Sequence, residues 1–486
     1  MICLTYRLRR HPSALLATLV FASFTFVLQQ TMVIPALPTI QRELHTTPGW
    51  TTWVLTAFFI VSAVAIPMVG RLGDQHGKER LLLISIAIFM AGSIGSALAW
   101  DIWALIGFRG LQGIGGGILP LAFSIVKDEL PRERLAVGLS LISGSGAGAG
   151  GLGLVLSGVL IDLASWRWLF IVGAAPSIVA LVLVRRFVPR SRVRALSGTD
   201  FPGAILLSVM LVCLLVGLTE GGSWGWGSPR TAGLFAAAAA ATVAWIRVES
   251  RSPRPMVDMK MLSHRPVLFA NLASVLHGFA MTSTFVLVAN FVQAPHGVPK
   301  AEARLVDYGL SASGIETGLI LLPSAMVTLV LGMPAGVLVR RCGPRVPFAA
   351  GLALMSAGIV LVAMAHDTVW QVMAEMTLVG TGAGLAAIAV PKLITDSVRE
   401  TETGVATAIN FVLRTIGTTI GAQVGATLLA AYLIRGTSVP AETGYVVALW
   451  IAAAAGFVAV PLALLARHAT GAGRGVATPL RRRRAG

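Results

Sequence analysis

Four ionisable side chains lie inside apolar stretches that are long enough to cross a lipid bilayer: Arg109, His277, Glu375 and Arg414. A charged group at mid-membrane costs at least about 2.5–3.5 kcal/mol, so such residues are rare and are functional by default. The chemistry that they offer is proton transfer or the binding of a charged ligand. For Arg109 the competing interpretation is a structural arginine that holds backbone carbonyls, and for His277 it is a satisfied contact between helices.

Uncharged polar and aromatic residues in neighbouring apolar stretches can hold a small molecule. Glutamine and asparagine donate and accept hydrogen bonds but do not titrate near neutral pH. We expect a substrate cavity lined by Gln29, Gln30, Phe58, Phe59, Gln112 and Asn290.

Enzyme chemistry has no support in the sequence. We find no convergent His, Cys, Asp or Glu residues with catalytic or metal-ligand spacing, and no Walker-type phosphate loop. Cys3, Cys213 and Cys342 suggest no pairing. We therefore expect no cofactor, no metal ion and no enzymatic activity, and nothing in the sequence demands more than a monomer.

The composition predicts an all-helical integral membrane protein. Of 486 residues 55% are hydrophobic, the mean hydropathy is +0.80, and 12% are charged, against about 25% in soluble domains. A span needs about 20 mostly apolar residues, and fourteen such stretches are present. We place them at 13–37, 50–69, 81–99, 102–126, 136–161, 167–188, 202–219, 231–246, 267–292, 313–339, 347–365, 369–392, 405–433 and 444–466.

The basic residues predict the orientation. Of 38 Lys and Arg residues, 30 fall on the face that the termini share with loops 70–80 and 127–135, and 5 fall on the opposite face. The positive-inside rule then puts both termini in the cytoplasm of a cell-membrane protein. The same pattern accounts for the net charge of +17 without nucleic-acid binding. The Arg481–Arg484 cluster is either a contact to anionic lipid headgroups or a solubilising tail.

An internal repeat predicts two related halves. Gly70-Arg-Leu through Gly77 recurs as Gly336-Val-Leu through Gly343, and the glycine run that begins at Gly113 recurs at Gly380. Parallel repeats with a substrate site at their interface are typical of transporters. We expect a six-helix bundle at 1–190, a linker and two inserted helices at 191–262, a second six-helix bundle at 263–467 and a basic tail at 468–486.

The segment Gly70-Arg-Leu-Gly-Asp-Gln-His-Gly-Lys-Glu-Arg80 has two glycines for a tight turn and one acid among basic neighbours. It resembles the loop motif between the second and third spans of the major facilitator superfamily. The resemblance implies the major facilitator fold. It also implies that Asp74 takes part in a latch that holds the two halves together. In the second copy Arg340 stands in the position of Asp74. The predicted latch and hinge residues are Gly70, Asp74, Gly77, Lys78, Arg80, Gly146, Gly150 and Gly151.

Further motifs resemble one branch of that superfamily, the fourteen-span drug:H+ antiporters. Arg109-Gly-Leu-Gln-Gly113 resembles the fourth-span motif implicated there in proton transfer. Gly144–Gly153 resembles the antiporter motif, with Ala147 where a proline is usual, and its glycines let helices approach closely. Trp166-Arg-Trp168 matches the same branch, and we interpret its two tryptophans as interfacial anchors. Asp200-Phe-Pro-Gly203, Gly225-Trp-Gly227 and Arg254-Pro-Met-Val-Asp-Met259 match it as well.

The first span departs from that branch at one residue. An acid is usual where this chain has Gln29, in Leu28-Gln29-Gln30-Thr31. In the family that acid is linked to proton coupling or to cationic substrates. We therefore expect an exporter of amphiphilic, drug-like molecules that works by alternating access with protons exchanged elsewhere. The alternative is an uncoupled or differently coupled carrier of a specific neutral metabolite or natural product. A channel would want repeated polar filter segments, which are missing.

Overall fold

The computed structural model describes residues 12–46, 48–190, 201–252, 257–294, 308–399, 402–434 and 440–466. The predicted basic tail lies outside these residues. The described chain is helical, and one isolated bridge joins Leu433 to Pro440. The helices are Pro12–Glu43, Pro48–His76, Lys78–Ala97, Ile102–Gly113, Ile118–Glu129, Arg132–Leu163, Arg167–Phe187, Phe201–Trp224, Pro229–Arg251, Met259–Ser263, Arg265–Gln293, Gly314–Val330, Gly332–Cys342, Arg345–Met364, Val369–Ser397, Thr403–Ala431 and Glu442–Leu465.

Thirteen membrane spans are found in the described part of the chain, each long and apolar enough to cross a bilayer. They coincide with the predicted spans 1–9 and 11–14, and we number them accordingly. The fourth comprises Ile102–Gly113 and Ile118–Glu129 with a 3-10 turn between them.

The tenth predicted span differs from expectation. Instead of one helix it forms two, Gly314–Val330 and Gly332–Cys342, and the apolar part of the first, Ile315–Thr328, is shorter than the other spans. Pro334 explains the break, because its ring clashes with the carbonyl of Val330 four residues earlier and it has no N–H to donate. We refer to the pair as the tenth span.

Polar side chains cap the N-termini of several spans. Asp101 caps the fourth by accepting from the backbone N–H of Ala104 at 2.7 Å, and Thr368 with Gln371 forms a capping box at the twelfth. The repeated glycines Gly77 and Gly343 both have positive φ, 105° and 75°. Most other residues are strained there, which explains why both copies of the motif carry a glycine at the turn.

The spans pair in a pattern that repeats with an offset of eight. In the first half, span 1 packs on 5 and 6, span 3 on 4 and 6, and span 2 on 4. In the second half, span 9 packs on 13 and 14, span 11 on 12 and 14, and span 10 on 12. This is the arrangement that two copies of one six-helix unit produce. We call spans 1–6 the N-half and spans 9–14 the C-half.

Contacts between the halves follow the same symmetry, because span 5 packs on span 10 and span 2 packs on span 13. The fourth span also reaches span 13, and the fifth reaches span 12. Spans 7 and 8 pair with each other, and span 7 contacts spans 2 and 13. The inserted pair therefore lies across one of the two seams between the halves.

Two faces limit the bundle. The Asp74 face holds the ends of helices at His76, Glu129 and Ser397, and the Trp166 face holds those at Glu43 and Ala97. The anchor interpretation was wrong for Trp166, which is fully buried, while Trp168 is exposed as expected. A buried indole N–H needs an acceptor, and here Nε1 of Trp166 donates to Oε2 of Glu43 at 2.9 Å.

Candidate functional site

A chain of polar side chains crosses the interior of the N-half and joins four spans. Oγ of Ser93 donates to Oε1 of Gln29 at 2.9 Å and accepts from Nε2 of Gln112 at 2.8 Å. Arg109 donates from Nη1 to Oε1 of Gln112 at 2.7 Å and from Nε to the backbone carbonyl of Val54 at 3.1 Å. The side chains of Gln29, Ser93, Arg109 and Gln112 are all fully buried. Three of them were predicted from the sequence as site residues, whereas Ser93, which joins the first span to the fourth, was not.

Arg109 is held by neutral acceptors and by an aromatic face. Its guanidinium carbon lies 4.3 Å from the ring centroid of Phe58, which is itself fully buried. Among the described residues no carboxylate lies within ion-pair distance of Arg109. Nη2 of Arg109 and Nε2 of Gln29 are buried without a hydrogen-bond partner. The N-half therefore holds a positive charge and a row of hydrogen bonds, with no acid between Gln29 and Arg109.

Two glycines leave room for this chain. A Cβ at Gly173, in the sixth span, would collide with the amide of Gln29, and one at Gly92 would lie 2.7 Å from Cγ of Gln112. A hydrophobicity pattern does not reveal such positions, because it does not distinguish a glycine that the packing requires from any other small residue. A larger residue would displace the polar chain.

The C-half carries the other intramembrane arginine, on the thirteenth span. The guanidinium carbon of Arg414 lies 4.6 Å from the ring centroid of Phe411. That ring stacks on Phe123 of the fourth span, with centroids 5.8 Å apart, so it bridges the halves. The backbone of span 9 passes close by, since a Cβ at Gly278 would lie 3.2 Å from Cγ of Arg414. His277 is fully buried, its Nε2 has no hydrogen-bond partner, and it interacts electrostatically with Arg414.

Nearer the Asp74 face, spans 9 and 13 are joined by hydrogen bonds. Nδ2 of Asn410 lies 2.9 Å from both Oδ1 of Asn271 and Oγ of Ser274. All three side chains are buried. This pair of spans is thus tied by neutral groups, and the tie stops one turn before Arg414.

Glu375 lies in the twelfth span, towards the Trp166 face. It is half-buried, its Oε2 is buried without a hydrogen-bond partner, and it interacts electrostatically with His366. His366 contacts the backbone carbonyl of Val362 through Nδ1 at 2.8 Å and Oε1 of Glu442 through Nε2 at 2.9 Å. Two carboxyl groups, those of Glu375 and Glu442, therefore lie around the imidazole of His366 at this end of the C-half.

The remaining residues predicted to line the cavity lie apart from these groups. Gln30 and Phe59 are half-buried, and Phe59 meets Phe58 edge to face at 5.5 Å. Asn290 is exposed near the end of the ninth span, and its Nδ2 donates to the carbonyl of Val286 at 2.8 Å. In this conformation Gln29, Gln112 and Phe58 are enclosed by the N-half, so their part in a substrate cavity stays a prediction.

Two of the predicted latch residues, Asp74 and Lys78, form an ionic cluster with Asp128 at the Asp74 face. Nζ of Lys78 lies 3.4 Å from Oδ1 of Asp74 and 2.6 Å from Oδ2 of Asp128, at the end of the fourth span. Asp74 and Lys78 are both buried, whereas Arg80 is exposed. The cluster joins the second, third and fourth spans within the N-half.

Three contacts at the Asp74 face join the N-half to the C-half. A Cβ at Gly404 would lie 3.0 Å from Oδ2 of Asp74, so the carboxylate faces the first turn of span 13, where the helix dipole favours an anion. Nζ of Lys127 donates to the carbonyl of Thr395 at 2.9 Å and to Oγ1 of Thr403 at 2.6 Å. The sequence analysis counted Lys127 only as a loop charge.

The second copy of the motif makes the reciprocal contact. Nη1 of Arg340 donates to the backbone carbonyl of Glu133, at the start of span 5, at 3.3 Å. Each copy thus touches the first turn of a span in the other half. Gly70 adds to this contact, because a Cβ there would lie 3.3 Å from the carbonyl oxygen of Gly404.

The glycines of the fifth span face two directions. Gly146 and Gly150 face the first span, where their Cβ atoms would lie 3.6 Å from Val27 and 3.7 Å from Thr31. A Cβ at Gly151 would instead collide with Ala325 of the tenth span, in the other half. Small residues let two helices approach closely inside a membrane. The contact between spans 5 and 10 therefore depends on Gly151.

The fold agrees with comparisons to known proteins. The family description "Major Facilitator Superfamily" matches residues 19–422 and, separately, 272–485. The multidrug transporter protein MdtP of Bacillus subtilis is 28% identical over 411 residues, which cover 84% of this chain and 73% of that protein. The tetracenomycin C resistance and export protein of Streptomyces glaucescens is 26% identical over 428 residues, covering 87% and 77%.

The comparison of structures points to the same fold. The crystal structure of the human organic anion transporter MFSD10 superposes with a TM-score of 0.65 at 14% identity, covering 93% of this chain and 99% of that one. The chain belongs to the major facilitator superfamily. It is a multi-pass membrane transporter of small molecules and not an enzyme. Relatives named for multidrug transport and export support a role in drug efflux.

Proposed function

We propose that this transporter exports amphiphilic, drug-like molecules across the cell membrane by alternating access, as a member of the fourteen-span drug:H+ antiporter branch. The bipartite bundle and the names of its relatives support the proposal. The relatives are separate proteins with their own cargo, so the proposal concerns the class of substrate and not a particular drug.

The observation that carries alternating access is the closure at the Asp74 face. Lys127 and Arg340 each reach across to the other half, and Asp74 meets the start of span 13. A few polar contacts of this kind can break and re-form when the halves rock. The substrate site between the halves would then open to one side at a time.

The distribution of basic residues assigns these faces to compartments. Since most Lys and Arg residues lie on the side of the Asp74 face, we place that face in the cytoplasm together with both termini. The conformation described here is then closed towards the cytoplasm. Release of substrate would take place at the Trp166 face.

For proton coupling we assign the carrier to Glu375. It is the acidic side chain that combines a position about 9 Å along the twelfth span with a buried, unpartnered carboxylate oxygen. The chain around Arg109 has hydrogen bonds but no acid that could release a proton. Export would use the pH gradient when Glu375 binds a proton from the Trp166 side and releases it to the cytoplasm.

The second candidate function is uncoupled or differently coupled transport of a neutral metabolite. It is favoured by Gln29, which takes the place of the usual acid and is bound to Ser93 in the buried interior of the N-half. The two functions differ in their response to a pH gradient.

The test is uptake into everted membrane vesicles of a neutral drug, a lipophilic cation and an anionic dye, with and without a pH gradient. Coupled export predicts uptake that falls severalfold when nigericin dissipates the gradient, and a Glu375→Gln variant that has lost this response. Glu316→Gln is the matched control, because Glu316 is an exposed acid in the same half. Uptake that ignores the gradient in the wild type would establish the uncoupled carrier, and no uptake of any compound would refute export.

A further inference from the structure

The guanidinium of Arg414 lies near the middle of the membrane, at the contact between the halves. Arg414 follows Thr403, the first residue of its helix, by eleven positions, which is roughly 16 Å along the helix axis. Its neighbour Phe411 packs against residues of both halves. The charge therefore sits at the depth and at the seam where transporters of this architecture hold their substrate.

This guanidinium lacks the partners that other cations of the molecule have. Lys78 has two carboxylates, and Arg167 has Glu43 and the carbonyl of Ala99. Within the described residues Arg414 has a ring face at 4.6 Å, and its side chain makes no hydrogen bond or ion pair. Five N–H donors are thus left for something else.

The groups around Arg414 do not compensate its charge. From span 9 it faces His277, whose contribution is electrostatic repulsion when protonated, and the glycine Gly278. On its own helix the hydroxyls of Thr415 and Thr418 are bound to the backbone carbonyls of Phe411 and Thr415. The acids of the described spans lie at their ends, as Asp74 does, or in span 12, as Glu375 does. The surroundings are therefore neutral or positive.

An unpaired cation at this depth is costly unless its site is completed by a ligand. An incoming anion would supply the acceptors, and a planar guanidinium binds carboxylate, sulfonate or phenolate oxygens through two parallel hydrogen bonds. The partly exposed ring of Phe411, which stacks on the buried ring of Phe123, offers an apolar surface beside it. A cationic ligand would meet repulsion from the same group.

We propose that the substrate is an amphiphilic organic anion whose charged group binds Arg414 and whose apolar body packs near Phe411 and Phe123. This inference rests on the proposed export function and adds the charge class of its cargo. The N-half chain of Gln29, Ser93, Gln112 and Arg109 contains no negative group that would oppose an anion.

The test compares two dyes that share a xanthene skeleton, fluorescein as the anion and rhodamine 123 as the cation. Binding to the full-length protein in nanodiscs is followed by fluorescence anisotropy, with empty nanodiscs as the blank. We expect the wild type to bind fluorescein more tightly than rhodamine 123. Arg414→Gln should weaken fluorescein binding at least tenfold, about 1.4 kcal/mol, and leave rhodamine 123 unchanged or tighter. Arg414→Lys, which keeps the charge but lacks the planar guanidinium, should bind fluorescein with an affinity between those of the wild type and Arg414→Gln.

Arg399→Gln is the matched control, because the Arg399 side chain is 82% exposed at a helix end. A second measurement needs no variant: fluorescein should raise the thermal midpoint of the wild type, and rhodamine 123 should not. Tighter binding of the cation, no binding of the anion, or an Arg414→Gln variant that binds fluorescein like the wild type would each overturn the proposal. If neutral drugs are still exported in those cases, the export function stands without its anion specificity.

Discussion

The two intramembrane arginines differ in the groups that interact with their guanidinium. Arg109 is fully buried and donates to Gln112 and to the carbonyl of Val54, so the protein itself supplies acceptors. Arg414 is half-buried and rests on a phenylalanine ring. A cation enclosed by its own protein has a structural or relay role, whereas one without acceptors is available to a ligand.

The local sequence explains part of this difference. Three residues after Arg109 comes Gln112, which lies on the same helix face and offers its carbonyl oxygen. Three residues after Arg414 comes Gly417, which has no side chain and lets span 9 approach so closely that a Cβ would collide with the carbonyl of Val275. One half uses that position to bind its arginine, and the other uses it to pack two helices.

The largest expected effect is the difference in stability between the variants that lack Arg109 and Arg414. Arg109→Ala leaves the Gln112 carbonyl without its donor and a cavity beside Phe58, and should cost about 3 kcal/mol of folding free energy. Arg414→Ala breaks no hydrogen bond and removes an unpaired charge from the membrane interior, so it should leave stability unchanged or raise it. The measurement is the amount of monodisperse protein that survives heating, by size-exclusion chromatography in one detergent. Equal losses in the two variants would contradict the distinction.

A slightly smaller effect should follow from crowding the N-half chain. Gly173→Ala places a methyl group on the amide of Gln29 and should cost about 1–3 kcal/mol, because the closely packed site has to shift. Gly107→Ala is the control within the same half, since no atom lies within 4 Å of its Cβ. The same heating assay measures both. If Gly173→Ala were as harmless as the control, the chain would be looser than its geometry indicates.

A third cation, Lys127, takes its acceptors from the opposite half. Lys127→Met removes the bonds to Thr395 and Thr403, and hydrogen bonds to a charged group contribute about 1.5–3 kcal/mol each. We expect the Asp74 face to open at least about tenfold more often, because the loss of even one such bond exceeds the roughly 1.4 kcal/mol that corresponds to a factor of ten. Lys392→Met is the control, because Lys392 pairs with Asp396 on its own helix.

The readout for Lys127 is the distance between spin labels at two exposed sites, Arg80→Cys and Arg341→Cys, in a background without the native cysteines. The distribution should broaden towards longer distances in Lys127→Met and remain unchanged in Lys392→Met. An unchanged distribution in both would show that this lysine does not hold the halves together.

The smallest structural effect should come from Gln29→Glu. A glutamate has the shape of the glutamine, keeps an oxygen for Ser93 and replaces an amide nitrogen that has no partner. We expect thermal stability close to that of the wild type but a stronger response of vesicle uptake to the pH gradient, because the chain to Arg109 then contains a group that binds and releases protons. Gln29→Asn, which cannot titrate, is the control that should show no added response.

The spans and the motif-bearing loop were predictable because their signals are local. Runs of apolar residues predict the bounds of thirteen spans to within a few residues. The glycines at 77 and 343 predict two turns, and both have positive φ. The tenth span was predicted less well, since hydropathy alone does not register what Pro334 does to a helix. Trp166 was assigned to the interface for a similar reason. Tryptophan is a residue type typical of membrane interfaces, but the sequence does not show that its indole N–H binds Glu43, which is distant in the chain.

Sequence by itself determined that this chain spans a membrane many times, carries basic loops on one side and places four ionisable groups at depth, because hydropathy and charge belong to individual residues. Which groups meet was decided by the tertiary structure. Ser93 joins Gln29 to Gln112, and Lys127 reaches Thr395 268 positions away. Such pairs depend on the packing of distant helices, so only the assembled bundle shows that one arginine is enclosed and the other is left without an acceptor.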